Sequence, residues 1–176
     1  MRLTQMQDIA GCRLVVQDVV KQDQVVAQLT AGLPSAVVVD RRKQPSHGYR
    51  AVHVVATALG KPVEIQVRTE LQHLWAQLSE KLSDISDPAV KYGGGDPRAR
   101  KVLSVASKEI DDVERMDLQL KRFAQGSALT LESEATALAE KLDRLKKDCC
   151  QFLVDMIAKP EELPEEQEGE RRAFSD

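Results

Sequence analysis

Two acidic side chains lie in apolar runs of this sequence. Asp8 is near the start of QDIAGCRLVVQ (7–17), and Glu64 stands between apolar residues in KPVEIQVRT (61–69). A carboxylate beside a core costs free energy unless a cation or hydrogen bonds compensate it. Two carboxylates on neighbouring strands commonly hold Mg²⁺, which takes oxygen ligands and completes its shell with water and substrate phosphates. Asp8 and Glu64 are therefore candidate metal ligands and catalytic residues.

A simpler interpretation gives the same two carboxylates no ligand. Both would then face solvent at strand positions and form ion pairs with Arg13 and Arg68. Spacing alone favours this interpretation, because a single sequence defines topology weakly. Simple alternation also places Asp8 and Arg13 on opposite faces of a strand, and only a β-bulge at Gly11 would bring them to the same side.

The central part of the chain predicts a sheet surface covered by polar side chains. In residues 61–69, apolar and polar residues alternate, as in a strand with one buried face. The run GYRAVHVV (48–55) alternates in the same way, and LGKP (59–62) is typical of a turn, so we expect two adjacent antiparallel strands. Five side chains are expected on the shared surface, called the polar face below: Tyr49, His53, Glu64, Gln66 and Arg68.

A basic loop, DRRKQPSHGYR (40–50), leads into the polar face. Arg41, Arg42 and Lys43 follow one another in it, although the whole chain has a formal net charge of -3. A mildly acidic protein with a local basic pocket suits small phosphorylated ligands better than a general coat for nucleic acid. Tyr49 could stack on a base while the arginines hold phosphates, but an aromatic residue on a half-exposed sheet is an equal alternative.

The histidines, the tryptophan and the glycine-rich segment have plainer alternatives. His53 and His73 could contact a phosphate or a base edge, but a lone histidine is more often a structural hydrogen-bonding residue. Trp75 has helical spacing with neighbouring leucines and is expected in the core. The segment DPAVKYGGGDP (87–97) is expected to have no regular structure and to form a hinge or a mobile loop over the site. Its KYGGGDP part lacks the Lys-Ser/Thr ending of a P-loop.

The periodicity of the chain predicts an α+β fold, with β-strands flanked by helices and followed by a C-terminal helical hairpin. We expect a helix capped by Asp18, a short strand over 35–43 and a helix over 70–86. Two long helices are predicted over 98–124 and 129–158, where they cover the sheet or join a partner chain. The expected units are a core domain (1–96), the hairpin (97–158) and an acidic tail of disordered composition (159–176).

Composition also bears on the compartment. No run approaches the roughly 18 apolar residues of a membrane span, and no signal peptide opens the sequence. Cys149 and Cys150 are adjacent and Cys12 is far from them in sequence, so neither a disulfide framework nor a zinc site is predicted. We expect a cytoplasmic protein without a membrane partner.

Three motifs resemble those of the RelA/SpoT family of alarmone synthetases, in the family's order and spacing. They are MQDIAGCR (6–13), HGYRAVHVV (47–55) and EIQVRTELQHLWA (64–76). The similarity extends over about residues 3–95. It implies a mixed sheet of nucleotidyltransferase type, and transfer of pyrophosphate from ATP to the ribose 3′-hydroxyl of GDP or GTP, which gives (p)ppGpp and AMP.

The resemblance implies a role for each candidate residue. Asp8 and Glu64 would hold Mg²⁺, Glu64 would also activate the 3′-hydroxyl, and Tyr49 would stack on guanine. The acceptor nucleotide would be positioned by His53, Gln66, Arg68 and His73, and ATP would be bound by Arg13, Arg41 and Lys43. Phosphoryl transfer of this kind depends on positioning and charge neutralisation more than on covalent chemistry by the protein.

Family members carry a helical segment before the first motif, with basic and serine residues that grip ATP, whereas only five residues precede that motif here. Three alternatives follow: a shortened start, a lost ATP site, or completion of the site by another subunit or polypeptide. Two other functions also remain open, namely pyrophosphate transfer to the 3′ end of tRNA and guanine-nucleotide binding without catalysis. We further expect a homo-oligomer that assembles through the C-terminal helices.

Overall fold

The computed structural model describes residues 11–58, 60–126 and 132–161. Asp8 and the end of the predicted acidic tail therefore lie outside the described residues. The elements, in chain order, are β1 (Gly11–Val16), α1 (Val19–Gly32), β2 (Val37–Asp40), β3 (Val52–Ala58), β4 (Lys61–Thr69), α2 (Glu70–Ile85), a short 3₁₀ helix (Pro88–Tyr92), α3 (Pro97–Gly126) and α4 (Glu132–Ala158).

The four strands form one mixed sheet, as predicted, and their order in it is β1-β4-β3-β2. β3 pairs antiparallel with β4 and places His53 opposite Gln66, while β1 runs parallel to β4 and places Arg13 opposite the same Gln66. Directly paired residues point to the same side of a sheet, so Arg13 belongs to the polar face. The β1–β4 ladder continues without an extra residue from Gly11 to Val16, so no bulge interrupts this part of β1.

The opposite face of the sheet is its apolar face. Val52, Val54 and Val67 are at most 1% exposed there. Helix α1 lies on this side, since the Gln22 side chain donates a hydrogen bond to the carbonyl of Val67 at 2.8 Å. Asp18 caps α1 by accepting a hydrogen bond from the backbone N–H of Lys21, as its position in the sequence predicts.

A second core forms where α2 packs against α3 and α4. Its most buried members include Leu78, Leu82, Ile110 and Leu153. Trp75 belongs to this core, as predicted, and its indole N–H donates to the carbonyl of Leu103 at 2.8 Å. A buried tryptophan needs such an acceptor because its N–H would otherwise lose the hydrogen bond it makes with water.

Helices α3 and α4 run antiparallel, as the predicted hairpin requires. Lys146 of α4 forms an ion pair with Asp117 of α3, while residues earlier in α4, around Leu138, lie beside residues later in α3, around Phe123. Asp117 also pairs with Lys121, which reaches Asp18 at the start of α1. These ion pairs connect the helical hairpin to the α/β part of the chain.

Two predictions of local structure were wrong. Residues 48–51 do not belong to β3, which begins at Val52. The reason lies in the backbone, since His47 and Gly48 have φ values of 53° and 91°, outside the β region. The segment after α2 is not wholly irregular either, because Pro88–Tyr92 forms a 3₁₀ helix that Asp87 caps at one end and a left-handed Gly93 at the other.

No helix among the described residues is long and apolar enough to cross a membrane.

A partly buried carboxylate, Glu114 of α3, fixes the start of α2. Thr69 is the N-cap of α2 and forms a capping box with Gln72. Glu114 accepts hydrogen bonds from the Thr69 hydroxyl and from the Gln72 amide, the latter at 2.9 Å. Burial raises the pKa of Glu114, and the hydrogen bonds from Thr69 and Gln72 offset only part of that effect.

The raised pKa predicts how Glu114 affects stability. A carboxyl whose pKa is higher in the folded state contributes stability below its unfolded pKa of about 4.3 and loses it as pH rises through the folded value. Glu114→Gln cannot ionise. We therefore expect its melting temperature, relative to that of the unsubstituted protein, to improve as pH rises above about 4.3, and to stop improving once Glu114 is ionised in the folded state as well. A difference in melting temperature between the two proteins that does not change with pH would contradict the raised pKa of Glu114.

Candidate active site

The five side chains of the polar face form a closed ring of hydrogen bonds. Arg68 donates from Nη2 to the Tyr49 hydroxyl at 2.9 Å and to Oε1 of Gln66 at 2.8 Å. Tyr49 contacts Nε2 of His53 at 2.9 Å, and Nδ1 of His53 contacts Oε1 of Glu64 at 2.5 Å. Gln66 closes the ring by donating from Nε2 to Oε2 of Glu64 at 3.0 Å. The predicted shared surface is therefore confirmed.

The chemistry of the ring determines where its protons lie. An ionised Glu64 can only accept, so Nδ1 of His53 carries a proton. In a neutral imidazole Nε2 then accepts, and the Tyr49 hydroxyl donates to it while accepting from Arg68. Every donor thus points along the ring towards Glu64. The carboxylate receives hydrogen bonds on both oxygens, which fixes the plane in which it meets a substrate.

Packing holds Tyr49 in place although it lies before β3. The guanidinium carbon of Arg68 is 5.0 Å from the ring centroid of Tyr49, and the His53 ring meets it edge-on at 5.6 Å. Trp75 lies 6.3 Å away on the core side. Gly48 has to be glycine because a Cβ there would approach Trp75 to 2.9 Å. Burial raises the pKa of Tyr49, so its hydroxyl stays protonated at neutral pH.

Arg68 and His73 make one side of the polar face rich in hydrogen-bond donors. Arg68 is only 4% exposed. Its Nε and Nη1, and Nδ1 of His73, have no hydrogen-bond partner within the described part of the chain. His73 comes from the first turn of α2, as predicted, and burial lowers its pKa with further help from the charges of Arg13 and Arg68. A neutral His73 beside two guanidinium groups suits a ligand with oxygen acceptors.

Arg41 of the basic loop adds further positive charge beside the polar face. Arg41 and Lys43 are exposed, and the backbone N–H of Arg41 donates to the carbonyl of Ala51 at 2.9 Å. This bond continues the β2–β3 ladder, in which Val39 lies opposite His53. Arg41 therefore points to the same side of the sheet as His53.

Comparison with known proteins shows which family this part of the chain resembles. A family model described as the region found in RelA/SpoT proteins matches residues 1–83. This part of the chain is a RelA/SpoT domain. The matched range contains every element of the sheet and all ten predicted site residues, from Asp8 to His73, although it ends before α3.

The sequence is also similar to individual proteins of two bacteria. An uncharacterised protein of Mycobacterium tuberculosis is 37% identical over 95 residues, which cover 52% of this chain and 35% of that protein. The GTP pyrophosphokinase YjbM of Bacillus subtilis is 32% identical over 123 residues, which cover 61% of this chain and 55% of that protein. The chain thus spans about a third to about a half of the length of these relatives.

Solved structures show the same fold. The crystal structure of small alarmone synthetase 1 from Bacillus subtilis matches with a TM-score of 0.53 and 25% identity, over 72% of this chain and 71% of that one. The same synthetase bound to its product pppGpp matches with a TM-score of 0.50 and 25% identity, over 71% of this chain and 68% of that one. The mixed sheet with flanking helices is therefore the synthetase fold.

The position of Arg42 in the RelA/SpoT domain was not predicted from the sequence. The sequence grouped Arg42 with Arg41 and Lys43, but Arg42 is held by Asp40 and Asp23 on the other side of the loop. The only signal for this was the strand alternation itself, which gives residue 42 the parity of the apolar face. The described residues contain no group of three or more His, Cys, Asp or Glu that could hold a metal. Asp8, the predicted partner of Glu64, is outside them.

The hydrogen-bonded ring predicts a penalty for removing one hydroxyl. Tyr49→Phe keeps the aromatic side chain but removes the hydroxyl that is the hydrogen-bond partner of both His53 and Arg68. Leaving buried donors or acceptors unpaired costs about 1–3 kcal/mol, so the free energy of unfolding in urea should fall by about that amount. Tyr92→Phe is the matched control, since Tyr92 is 78% exposed. Equal changes in the free energy of unfolding at the two positions would show that the ring of hydrogen bonds contributes nothing to stability.

Proposed function

We propose that this chain is a (p)ppGpp synthetase, which transfers pyrophosphate from ATP to the ribose 3′-hydroxyl of GDP or GTP. The observation that carries the proposal is the carboxylate of Glu64, held through both oxygens by His53 and Gln66 at the centre of the polar face. A RelA/SpoT domain and a synthetase fold surround it. The product complex of the similar Bacillus enzyme supports a guanine nucleotide as ligand.

Glu64 is the proposed general base. A half-buried carboxylate with a fixed orientation can accept the proton of a hydroxyl that lies within hydrogen-bonding distance. Its negative oxygens also fit Mg²⁺, which prefers hard oxygen ligands, and Asp8 is proposed as the second carboxylate ligand. When bound, Mg²⁺ would neutralise charge on the transferred phosphates. The protein contributes by holding the acceptor hydroxyl beside Glu64.

The acceptor nucleotide is proposed to lie along the donor-rich side of the polar face. Tyr49 presents a fixed, partly exposed aromatic ring on which guanine could stack. Arg68 has two unpartnered N–H groups that could donate to the oxygen atoms of a nucleotide, and His73 adds an unpartnered ring nitrogen. His53 and Gln66 orient Glu64 and border the same space. This arrangement makes acceptor binding and base positioning parts of one network.

The donor ATP is proposed to meet Arg13, Arg41 and Lys43. All three are exposed, and register places Arg13 and Arg41 on the side of the sheet that carries Glu64. Arginine binds phosphate oxygens through a planar pair of N–H groups, and lysine binds them as a point charge. Separate groups for donor and acceptor would bring the β-phosphate and the 3′-hydroxyl together near Glu64.

A homo-oligomer in the cytoplasm is the proposed context. Met116, Phe123, Leu138 and Leu145 are exposed along the outer groove between α3 and α4. Contiguous apolar surface of this kind often marks a protein–protein contact. It lies on the helical hairpin, so an interface there would leave the polar face accessible.

The first test of the proposal is transfer from ATP. The purified chain is given Mg²⁺ and β-labelled ATP with GDP, GTP or deacylated tRNA as separate acceptors. Label is expected on the guanine nucleotides. Label on tRNA alone would replace the proposed acceptor by the alternative one, and no labelled acceptor, together with binding of GDP, would support a module that binds without catalysis.

The same assay tests the role of Glu64. Glu64→Gln keeps the size of the side chain but removes the base, so transfer should fall by about 10²-fold or more while the melting temperature changes little. Glu80→Gln on the exposed side of α2 is the control and should be fully active. An active Glu64→Gln enzyme would disprove the assignment of the base.

Stacking of guanine on Tyr49 is tested by calorimetry with GDP. Loss of one base–aromatic stack costs about 1–3 kcal/mol of binding free energy, so Tyr49→Ala should bind GDP correspondingly more weakly. Tyr92→Ala is expected to bind like the unsubstituted chain because Tyr92 is exposed and far along the sequence from the ring. Unchanged affinity of a folded Tyr49→Ala protein would place guanine elsewhere.

A further inference from the structure

Arg42 differs from its basic neighbours because its guanidinium is fully engaged inside the protein. Nε and Nη2 donate to the two carboxylate oxygens of Asp40 at 2.9 and 2.8 Å. Nη1 forms an ion pair with Asp23 at 2.8 Å and donates to Oε1 of Gln22 at 3.1 Å. Burial alone would lower the pKa of Arg42, but the hydrogen bonds to Asp40 and Asp23 outweigh it and raise the pKa.

Gln22 connects this guanidinium to the interior of the fold. It is 0% exposed, although it lies in a helix with few other buried residues. Its amide donates to the carbonyl of Val67 in β4 at 2.8 Å and to Oε1 of Gln72 in α2 at 2.9 Å. Gln72 in turn donates to Glu114 in α3. A buried polar network in which each member has partners imposes one geometry on the elements it joins.

The backbone of the basic loop is held from the same side. Arg50 donates from Nη1 to the carbonyl of Arg42 at 2.8 Å and to Asp111 of α3 at 2.9 Å. Ser107 of α3 donates to the carbonyl of Gly48 at 2.7 Å. Both ends of the basic loop are thus fixed to buried or half-buried groups on the side away from the polar face.

Arg41 and Lys43 show the opposite pattern. Both are exposed, and within the described residues neither takes part in an ion pair. Strand parity separates Arg41 from Arg42, since Asp40 lies opposite Val52 of the apolar face while Arg41 follows on the other side. Arg41 and Arg42 therefore lie on opposite sides of the basic loop, while Lys43 borders the same hollow as Asp40 and Arg42.

We propose that Arg42 is a positioning residue, fixed by Asp40 and Gln22, which holds the basic loop so that Arg41 faces the phosphates of the pyrophosphate donor. The donor part of this inference rests on the proposed synthetase function. The fixing of the loop rests on the contacts alone. Gln22 and Gln72 are buried and cannot contact the donor, so they act on its binding through Arg42.

Amide hydrogen exchange of the full chain tests the fixing of the loop. Peptides that cover the basic loop should exchange about tenfold faster in Gln22→Met and Arg42→Met, because each change removes hydrogen bonds that keep the loop closed. Arg41→Met, which removes the same charge as Arg42→Met, should leave exchange unchanged. Equal exchange in Arg42→Met and Arg41→Met would overturn the proposal.

A milder pair of variants keeps this test valid if Gln22→Met fails to fold. Asp23 is 51% exposed, so Asp23→Asn removes one partner of Arg42 without burying a new group. Its loop should exchange about twofold to threefold faster, since half-exposed ion pairs contribute little. Arg42→Lys keeps the charge but not the fork to Asp40, and slow exchange in both variants would contradict a positioning role.

The effect of Arg42 on binding of the pyrophosphate donor is tested by calorimetry with α,β-methylene ATP. The proposed transfer cannot cleave this analogue, because a methylene group links its α- and β-phosphorus atoms. Arg41→Met and Lys43→Met should weaken binding and reduce its dependence on salt, because each removes a phosphate contact. Gln22→Met should weaken binding about tenfold with its salt dependence unchanged, and the Gln22→Met/Arg42→Met pair should be no weaker than Arg42→Met alone. Affinity for GDP should stay the same in all of them.

The outcomes separate this inference from the proposed function. Additive losses from Gln22→Met and Arg42→Met, with a lower salt dependence for Arg42→Met, would make Arg42 a direct phosphate ligand and overturn the proposal. If the unsubstituted chain binds no ATP analogue, the synthetase function and the donor part fail together. Faster loop exchange in Gln22→Met would still support the fixing of the loop by Arg42.

Discussion

The register between β3 and β4 is the constraint on which the polar face depends. His53 lies opposite Gln66, and Glu64 lies two residues before Gln66 in β4. Because side chains alternate at every residue, a slip of one position would turn Glu64 and Arg68 into the core and expose Val67. The apolar face prevents the slip, since Val52, Val54 and Val67 are all almost completely buried. The hydrophobic effect thus determines the geometry of a polar site.

The sequence was sufficient for the strands and for most of the polar face, because both follow from alternation. Glu64, Gln66 and Arg68 stand at every second position of one run, and the neighbouring run brought His53 to them through a short turn. The late start of β3 was missed because it depends on positive φ angles at His47 and Gly48, which only the packing of Trp75 against Gly48 explains. Contacts between distant segments decide such details, and no local pattern encodes them.

Arg42 and Gln22 show a second limit of prediction from sequence. A basic triplet in a loop indicates phosphate binding, and a glutamine in a helix indicates a solvated position. Here the middle arginine and the glutamine meet across 20 positions of the chain, and both are largely withdrawn from water. This contact depends on the folded sheet, which brings the end of β2 close to α1. Composition alone does not contain that information and assigned Arg42 to the wrong side of the loop.

Strand β4 and helix α2 follow each other without a connecting residue. Thr69 is both the last residue of β4 and the N-cap of α2, and its hydroxyl is bonded to Glu114. With no linker to absorb a rotation, His73 must move together with Glu64 as one rigid body. Any adaptation of the site would therefore come from a segment that faces this body and is held less firmly than the basic loop, namely the turn at Gly93, where the His47 ring lies against the glycine backbone. The site is built as a fixed wall opposed by an adjustable one.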